Sequence, residues 1–416
     1  MSARLSPAAE AFRFVHDDHP FASHARLFRL LLEHAEPYAR LIGTTESGEL
    51  TVRKVLRLSG AEPSRLRRLS FSLQRAGDDG SFAAATFFYS ARKARLTAYE
   101  FPADPYLVRL PALVSDGRLG TRVLQYVPRD RLVYVTADGR IGKLMRPADL
   151  VSAYDRLQYV YRAVGRADVS FGVAAPGGID LGAGVFVQGL LPGRDVAASV
   201  TEGNLEELMR EAGAVLAELH GLEVPAARPW SPGSFERELE GYVELVSLFR
   251  PREGALLAQA LVRLVRDRPH ARRLAFCHGD LRCSHLLRHD GSWSVIDFDG
   301  CRLGDPYQDI ARLLAFLKRD VPLLRERFAD PLARSLLLDD AVEAFVDGYE
   351  ERSGVAHDER RLLWYLTAHE LLYLGRMFKR DLYDPVSFER CVERVLALSR
   401  RLRREPVTAV AIGGRR

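Results

Sequence analysis

Lysine is scarce in this chain: among 60 Lys and Arg residues only Lys54, Lys93, Lys143, Lys318 and Lys379 are lysines. Cysteine is scarcer still. Four in 416 residues, with no CxxC pair, exclude a disulfide-stapled fold and lead us to expect buried thiols in a reducing compartment. Neither a Walker A sequence nor a GxGxxG is present, which excludes the usual backbone cradles for phosphate and dinucleotides. No apolar run reaches about 18 residues, and the first twenty positions are polar and acidic, unlike a signal peptide. A cytoplasmic protein with no membrane partner is therefore expected. The net charge of +5 is spread mainly over arginines, without a basic arm or an aromatic-basic platform, so nucleic acid is not an expected partner either. Glutamate is missing altogether between Glu100 and Glu202.

What is present centres on Cys277 to Leu314, CHGDLRCSHLLRHDGSWSVIDFDGCRLGDPYQDIARLL. Leu274, Ala275 and Phe276 form an apolar lead-in, read as a short buried strand that delivers His278, Gly279 and Asp280 to a turn. Five residues after Asp280 stands His285. Beyond the turn signal of Asp290 and Gly291, a second apolar run, Val295 and Ile296, ends in Asp297. Two strands joined by a tight turn would carry Asp280, His285 and Asp297 into one pocket. Phosphoryl transfer needs such a layout: one Asp for the attacking hydroxyl, and a second Asp with a neighbour to hold Mg²⁺ on a nucleotide.

The stretch resembles the catalytic core of the aminoglycoside phosphotransferase and choline kinase-like family, a branch of the protein-kinase-like fold. The resemblance rests on HGD at 278–280, IDFD at 296–299 and GDPYQDIA at 304–311, and extends over about 121–385. It implies that Asp280 is the catalytic Asp and Asp297 the metal-binding Asp, with Asp309 the structural carboxylate bracing the catalytic loop. His278 would join Asp280 in the catalytic set and support that loop, and Asp299, two residues beyond the metal Asp, would support it too and complete the metal set with His285 and Asp297. The family usually has Asn where this chain has His285; macrolide phosphotransferase-like members resemble it in placing His there. Imidazole ligates divalent metals, although Mg²⁺ prefers oxygen. The nearby Cys277, Cys283 and Cys301 are read as buried thiols rather than zinc ligands.

Upstream, Val123 to Val127, Leu132 to Val135 and Ile141 to Met145 are three strand-like runs separated by PRDR and TADGR turns. In the kinase-like fold the third such strand carries the lysine that meets the α- and β-phosphates, and Lys143 stands there. A solvated lysine on an edge strand is the competing reading. Pro147 to Val164 reads as a helix, with Pro147 in its first turn. No Glu is available on it to hold the lysine, so Asp155 is the expected substitute. The first turn, Pro128 to Arg131, lacks glycine but offers Arg129 and Arg131 to phosphate. Gly184 to Arg194 looks like the hinge between lobes, with adenine expected against Gln188, Gly189 and Leu190.

Residues 1 to 46 read as helical, and Leu69 to Leu73 with Phe82 to Tyr89 as a hairpin around the AGDDG turn at 76–80. Helices are expected from the catalytic core to the end. One of them carries an apolar stripe, Leu338, Val342, Phe345, Val346 and Tyr349, opposite Asp339, Glu343, Asp347 and Glu351; that acidic face suits a cationic substrate or plain solvent. His220, near the end of a helix from Asn204 to Leu222, is read as a C-terminal cap.

The expected architecture is α+β: a protein-kinase-like fold with a β-rich small lobe at 121–190 and a helical large lobe at 191–404 holding the catalytic core 274–314. An α/β extension of unassigned role would precede it at 1–120, and a loose tail would follow at 405–416. The expected function is transfer of the γ-phosphoryl group of ATP, with Mg²⁺, to a hydroxyl of an antibiotic, sugar or amino-alcohol acceptor. The alternative is a pseudokinase that binds nucleotide or a partner without turnover.

Overall fold

The computed structural model describes residues 50–57, 68–76, 82–90, 95–120, 122–201, 203–224, 229–270, 273–320, 331–379 and 385–404. The helical reading of 1–46, most of the AGDDG turn and the tail at 405–416 lie outside them. In the extension, β1 (Leu50–Arg57), β2 (Arg68–Ala76), β3 (Phe82–Ser90) and β4 (Arg95–Glu100) form an antiparallel meander. The predicted hairpin is its β2–β3 pair. A short helix follows, α1 (Leu110–Ser115), entered through a proline.

The small lobe is a five-stranded antiparallel sheet of β5 (Arg122–Val127), β6 (Arg131–Val135), β7 (Ile141–Met145), β9 (Pro176–Asp180) and β10 (Val185–Gln188), in the order β5-β6-β7-β10-β9. Lys143 sits in register with Val133 on one side and Phe186 on the other, so it is on the central strand and not on an edge. Helix α2 (Pro147–Val164) follows β7 and buries Leu150, Ala153, Leu157 and Val160. These recur on one helical face, and three of them pack with Phe186 of the sheet. A second core belongs jointly to the sheet and the extension: Ala84, Leu107, Leu110 and Leu113 pack with Val123, Tyr126, Leu132, Tyr134, Leu144 and Val185. The extension is thus fused to the small lobe by shared burial.

The strand β8 (Phe171–Val173) leaves this sheet. It lies parallel to β14 (Ser292–Val295) at the edge of a sheet whose order is β11-β13-β14-β8, with β11 at Arg194–Asp195 and β13 at Leu286–His289. The lead-in to HGD, β12 (Ala275–Cys277), pairs with β15 (Arg302–Gly304) instead of with that hairpin.

The rest of the large lobe is helical: α3 (Val196–Ser199), α4 (Leu205–Gly221), α5 (Pro232–Phe249), α6 (Pro251–Arg266), α7 (Tyr307–Asp320), α8 (Pro331–Ser353), α9 (Glu359–Lys379) and α10 (Pro385–Arg404). Phe345, Trp364, Tyr365 and Phe388 are fully buried in its core. Helices α4 and α8 approach backbone to backbone, because glycine stands at each crossing point. A Cβ on Gly213 would fall on the carbonyl of Phe345, and one on Gly348 on that of Arg210. Beside the crossing, Arg210 pairs with Asp347 at 3.1 Å and Glu351 at 3.0 Å, so this part of the acidic face meets a neighbouring helix instead of a cationic ligand.

The crossing has no slack, since both obstacles are backbone atoms. Gly348→Ala is expected to lower stability by about 2 kcal/mol through forced separation of the helices, measured as a loss of unfolding free energy in urea; Gly221→Ala, where a Cβ meets nothing, is expected to leave it nearly unchanged.

Candidate active site

The catalytic loop is built around a single carboxylate. Asp309, fully buried in the first turn of α7, accepts the N–H of His278 at 2.6 Å on one oxygen and that of Gly279 at 2.8 Å on the other. His220 adds a contact at 3.3 Å and is itself held by the Tyr349 hydroxyl at 2.9 Å. Burial works against the charge of Asp309, but the His220 hydrogen bond and the neighbouring imidazoles hold its carboxyl below the ordinary range. Asp309 thus holds two consecutive backbone amides of the loop. His220 does not cap its helix; it reaches into the core to orient this carboxylate.

Gly279 adopts φ +79, and a Cβ there would fall on the carbonyl of Gly300, so only glycine fits between the two halves of the loop. Beside it His278 is buried. Its Nε2 donates to the Ile296 carbonyl at 2.8 Å, its Nδ1 accepts the N–H of Asp280 at 3.3 Å, and its ring stacks at 5.4 Å on that of His285. Burial and the adjacent His285 push its pKa down to about 4. His278 is thus a neutral structural imidazole rather than an acid or base.

Asp280 is the exposed member, with 44% of its side chain open. Its Oδ1 pairs with the guanidinium of Arg312, a buried residue of α7 that sequence reasoning did not single out. Arg312 lies three positions after Asp309, so one helical turn supplies both the brace of the loop and the partner of its Asp.

The second half of the site lies across the cleft. Lys143 Nζ is 2.9 Å from Asp297 Oδ1 and 3.3 Å from Asp299 Oδ1, and its ammonium lies 5.7 Å from the centre of the Phe186 ring. Burial disfavours the ammonium, but Asp299 and then Asp297 outweigh it and raise the pKa. Burial likewise opposes the charge on Asp297, and Lys143 and His285 override it, keeping that carboxyl far below its usual range. Asp297 itself has φ +68, a left-handed conformation that costs a non-glycine residue about 1 kcal/mol or more.

Two arginines complete the cluster. Arg131 Nη1 lies 3.4 Å from Asp299 Oδ2, and Arg156 Nη1 donates to the Asp299 carbonyl at 2.6 Å. The expected partner of the lysine, Asp155, makes no ion pair with it; the adjacent Arg156 is the residue of α2 that enters the site. Arg129 also departs from expectation, since it is buried and its guanidinium lies 4.1 Å over the Tyr106 ring.

His285 Nε2 lies 3.7 Å from Asp297 Oδ2, beyond hydrogen-bonding distance yet close enough for both to share one divalent ion. One carboxylate and one imidazole fit such an ion. The four cysteines are buried and in no disulfide, and burial pushes the Cys301 thiol up to about 12 and that of Cys277 well above its usual value.

At the hinge, Gln188 lines the cleft with Lys143, Ala174, Phe186 and Asp297. The amide of Gly189 is already engaged, donating to the Ala175 carbonyl at 2.8 Å, and Leu190 is exposed. Of the three expected adenine contacts, the structure thus brings Gln188 into the cleft and commits the Gly189 N–H elsewhere.

The chain is similar to several known proteins. Aminoglycoside 3'-phosphotransferase of Streptomyces fradiae is 29% identical over 200 residues, covering 44% of this chain and 72% of that protein. Among solved structures, amicoumacin kinase in complex with AMP-PNP and Ca²⁺ superposes with a TM-score of 0.48 at 16% identity, over 69% of this chain and 92% of that one. An aminoglycoside phosphotransferase from Streptomyces rimosus gives a TM-score of 0.47 at 19% identity, over 65% and 99%. For macrolide 2'-phosphotransferase type I the figures are 0.44 and 15%, over 69% and 96%. Residues 129–371 match the profile of the phosphotransferase enzyme family, a span that takes in both Lys143 and the catalytic loop. Because that span is more than half of the sequence, the chain belongs to the phosphotransferase enzyme family.

Proposed function

We propose that the protein moves the γ-phosphoryl group of ATP to a hydroxyl of a small molecule, an antibiotic, sugar or amino alcohol, with Asp280 serving the acceptor and Lys143 and Asp297 the nucleotide. The observation that carries this reading is the meeting of Lys143 from the small lobe with Asp297 and Asp299 from the large lobe, with Asp280 exposed on the loop whose His278 stacks on His285. Four buried free thiols fit a reducing cytoplasm, where ATP is available.

Each side chain then has one task. Arg312 holds Oδ1 of Asp280 from its buried side, leaving Oδ2 to take the hydroxyl proton as the oxygen attacks the γ-phosphorus and the bond from that phosphorus to the β,γ-bridging oxygen breaks, releasing ADP. Lys143 leaves its two carboxylates in part to meet the α- and β-phosphates, with Arg131 beside it. Asp297 and His285 would hold the divalent ion, Mg²⁺ by the resemblance, and Asp299 keeps the lysine in place. When bound, the ion neutralises charge on the phosphates. Gln188 and the wall formed by Ala174 and Phe186 receive the base. Positioning and charge neutralisation supply most of the acceleration in such chemistry.

Asp280→Asn is expected to lower turnover about 10³-fold while leaving binding of a non-hydrolysable ATP analogue intact, read as ADP release with a panel of hydroxyl acceptors beside calorimetric titration. Near-normal turnover in this variant would remove Asp280 from the mechanism. Asp297→Ala is expected to abolish the Mg²⁺- or Mn²⁺-dependent part of the binding.

A pH dependence follows from His278. Its folded pKa of about 4 lies below the 6.5 of a free imidazole, so the unfolded chain takes up a proton that the folded protein refuses. Its contribution to stability is complete above pH 6.5 and declines as pH falls from 6.5 towards 4, by up to about 3 kcal/mol. His278→Asn is expected to flatten the plot of unfolding free energy against pH in that window.

A further inference from the structure

The turn between β5 and β6 stands where kinase-like enzymes cover the nucleotide's phosphates with glycine-rich backbone. Here it cannot serve in that way. Pro128 has no amide hydrogen, and the N–H of Arg129 is taken by a carboxylate of the extension, donating to Asp104 Oδ2 at 2.9 Å. The same oxygen accepts the Tyr126 hydroxyl at 2.8 Å. Asp104 Oδ1 accepts the N–H groups of Tyr106 at 2.8 Å and Leu107 at 3.1 Å. Asp104 is thus 4% exposed with two donors on each oxygen. Burial, and after it the charge of Asp104, push the Tyr126 phenol far above its usual pKa, which keeps it a donor.

The consequences run along the turn. Arg129 is held at φ +71, and its guanidinium is folded back over Tyr106 of the extension. Tyr126 is fixed at its backbone too, where its carbonyl accepts Gln74 Nε2 at 2.9 Å, and at its ring by Phe82 and Phe101. With both flanks of the turn tied outward, the next arginine points the other way: Arg131 reaches Asp299, steadied by Nε donating to Gln125 Oε1 at 3.2 Å.

We propose that Asp104 is a positioning residue for the phosphate end of the nucleotide site: it pins the β5–β6 turn through Arg129 and Tyr126, and so sets the Arg131 guanidinium beside Lys143 to meet the phosphates of ATP. This rests on the phosphotransferase reading of the cleft. It also gives the extension a task, since Asp104 lies outside the residues that match the family.

The test is a double-mutant cycle on the full chain with Asp104→Asn and Arg131→Ala, titrating a non-hydrolysable ATP analogue and, separately, adenosine. Asp104→Asn keeps the shape and replaces an acceptor with a donor opposite two donors. It is expected to weaken the triphosphate about tenfold and leave adenosine unchanged. Because Asp104 acts through Arg131, the double variant is expected to bind no more weakly than the weaker single variant. Losses that multiply, or an equal loss of adenosine binding, would overturn the proposal. Tyr126→Phe deletes one of the two donors and keeps the ring; it is expected to give a smaller loss with the same selectivity, and it carries the cycle where Asp104→Asn does not fold. Wild-type protein that binds adenosine and the analogue equally well also refutes the proposal. Wild-type protein that binds neither refutes the phosphotransferase reading, and this one with it.

Discussion

A buried ammonium between two carboxylates is the constraint on which the site depends. Lys143 is almost fully enclosed on the central strand of its sheet, and burying a charge there costs far more than a surface contact returns. The arrangement is tolerable only because Asp297 and Asp299 arrive from another lobe with opposite charge. Its geometry therefore forces the small sheet and the catalytic hairpin into one relative position before any ligand binds. Arg131 and Arg156 extend the same logic, each gripping a different atom of Asp299.

Asp309 plays the matching part beneath Asp280. By accepting two consecutive backbone N–H groups it fixes the path of HGD, and through α7 it shares a rigid element with Arg312, the partner of Asp280. Asp280 is thus located twice, once through its backbone and once through its charge. His220 and Tyr349 carry this support back into the α4–α8 pair, whose close approach depends on Gly213 and Gly348.

What the sequence disclosed were the residues whose placement is written in local order. HGD, IDFD and GDPYQD are short runs in which chain direction already places the side chains, so Asp280, Asp297 and Asp309 were legible, and the alternation around Lys143 put it on a strand. The boundaries of α2 at Pro147 and Val164 were legible for the same reason, a proline start and an apolar helical period. Arg312, Arg156 and His220 were not. Each acts on a partner distant in the chain, and nothing in an isolated Arg or His tells which way it points. The substitution of Asp155 for a missing Glu failed because the lysine found its partners across the cleft, which no search of the neighbouring helix could reveal. Asp104 was hidden in a stretch broken by prolines that offered no period at all.

Strand β8 has a consequence of its own. By position in the chain it lies between two strands of the small sheet, yet it hydrogen-bonds to β14, the strand that leads into Asp297. The chain therefore crosses into the large lobe, returns for β9 and β10, and crosses again at the hinge. A wide swing of the small sheet away from the large lobe would have to strip β8 from β14 or bend the connections on either side of it. The strand that leads into Asp297 is thereby tied to the segment of chain that joins α2 to the small sheet.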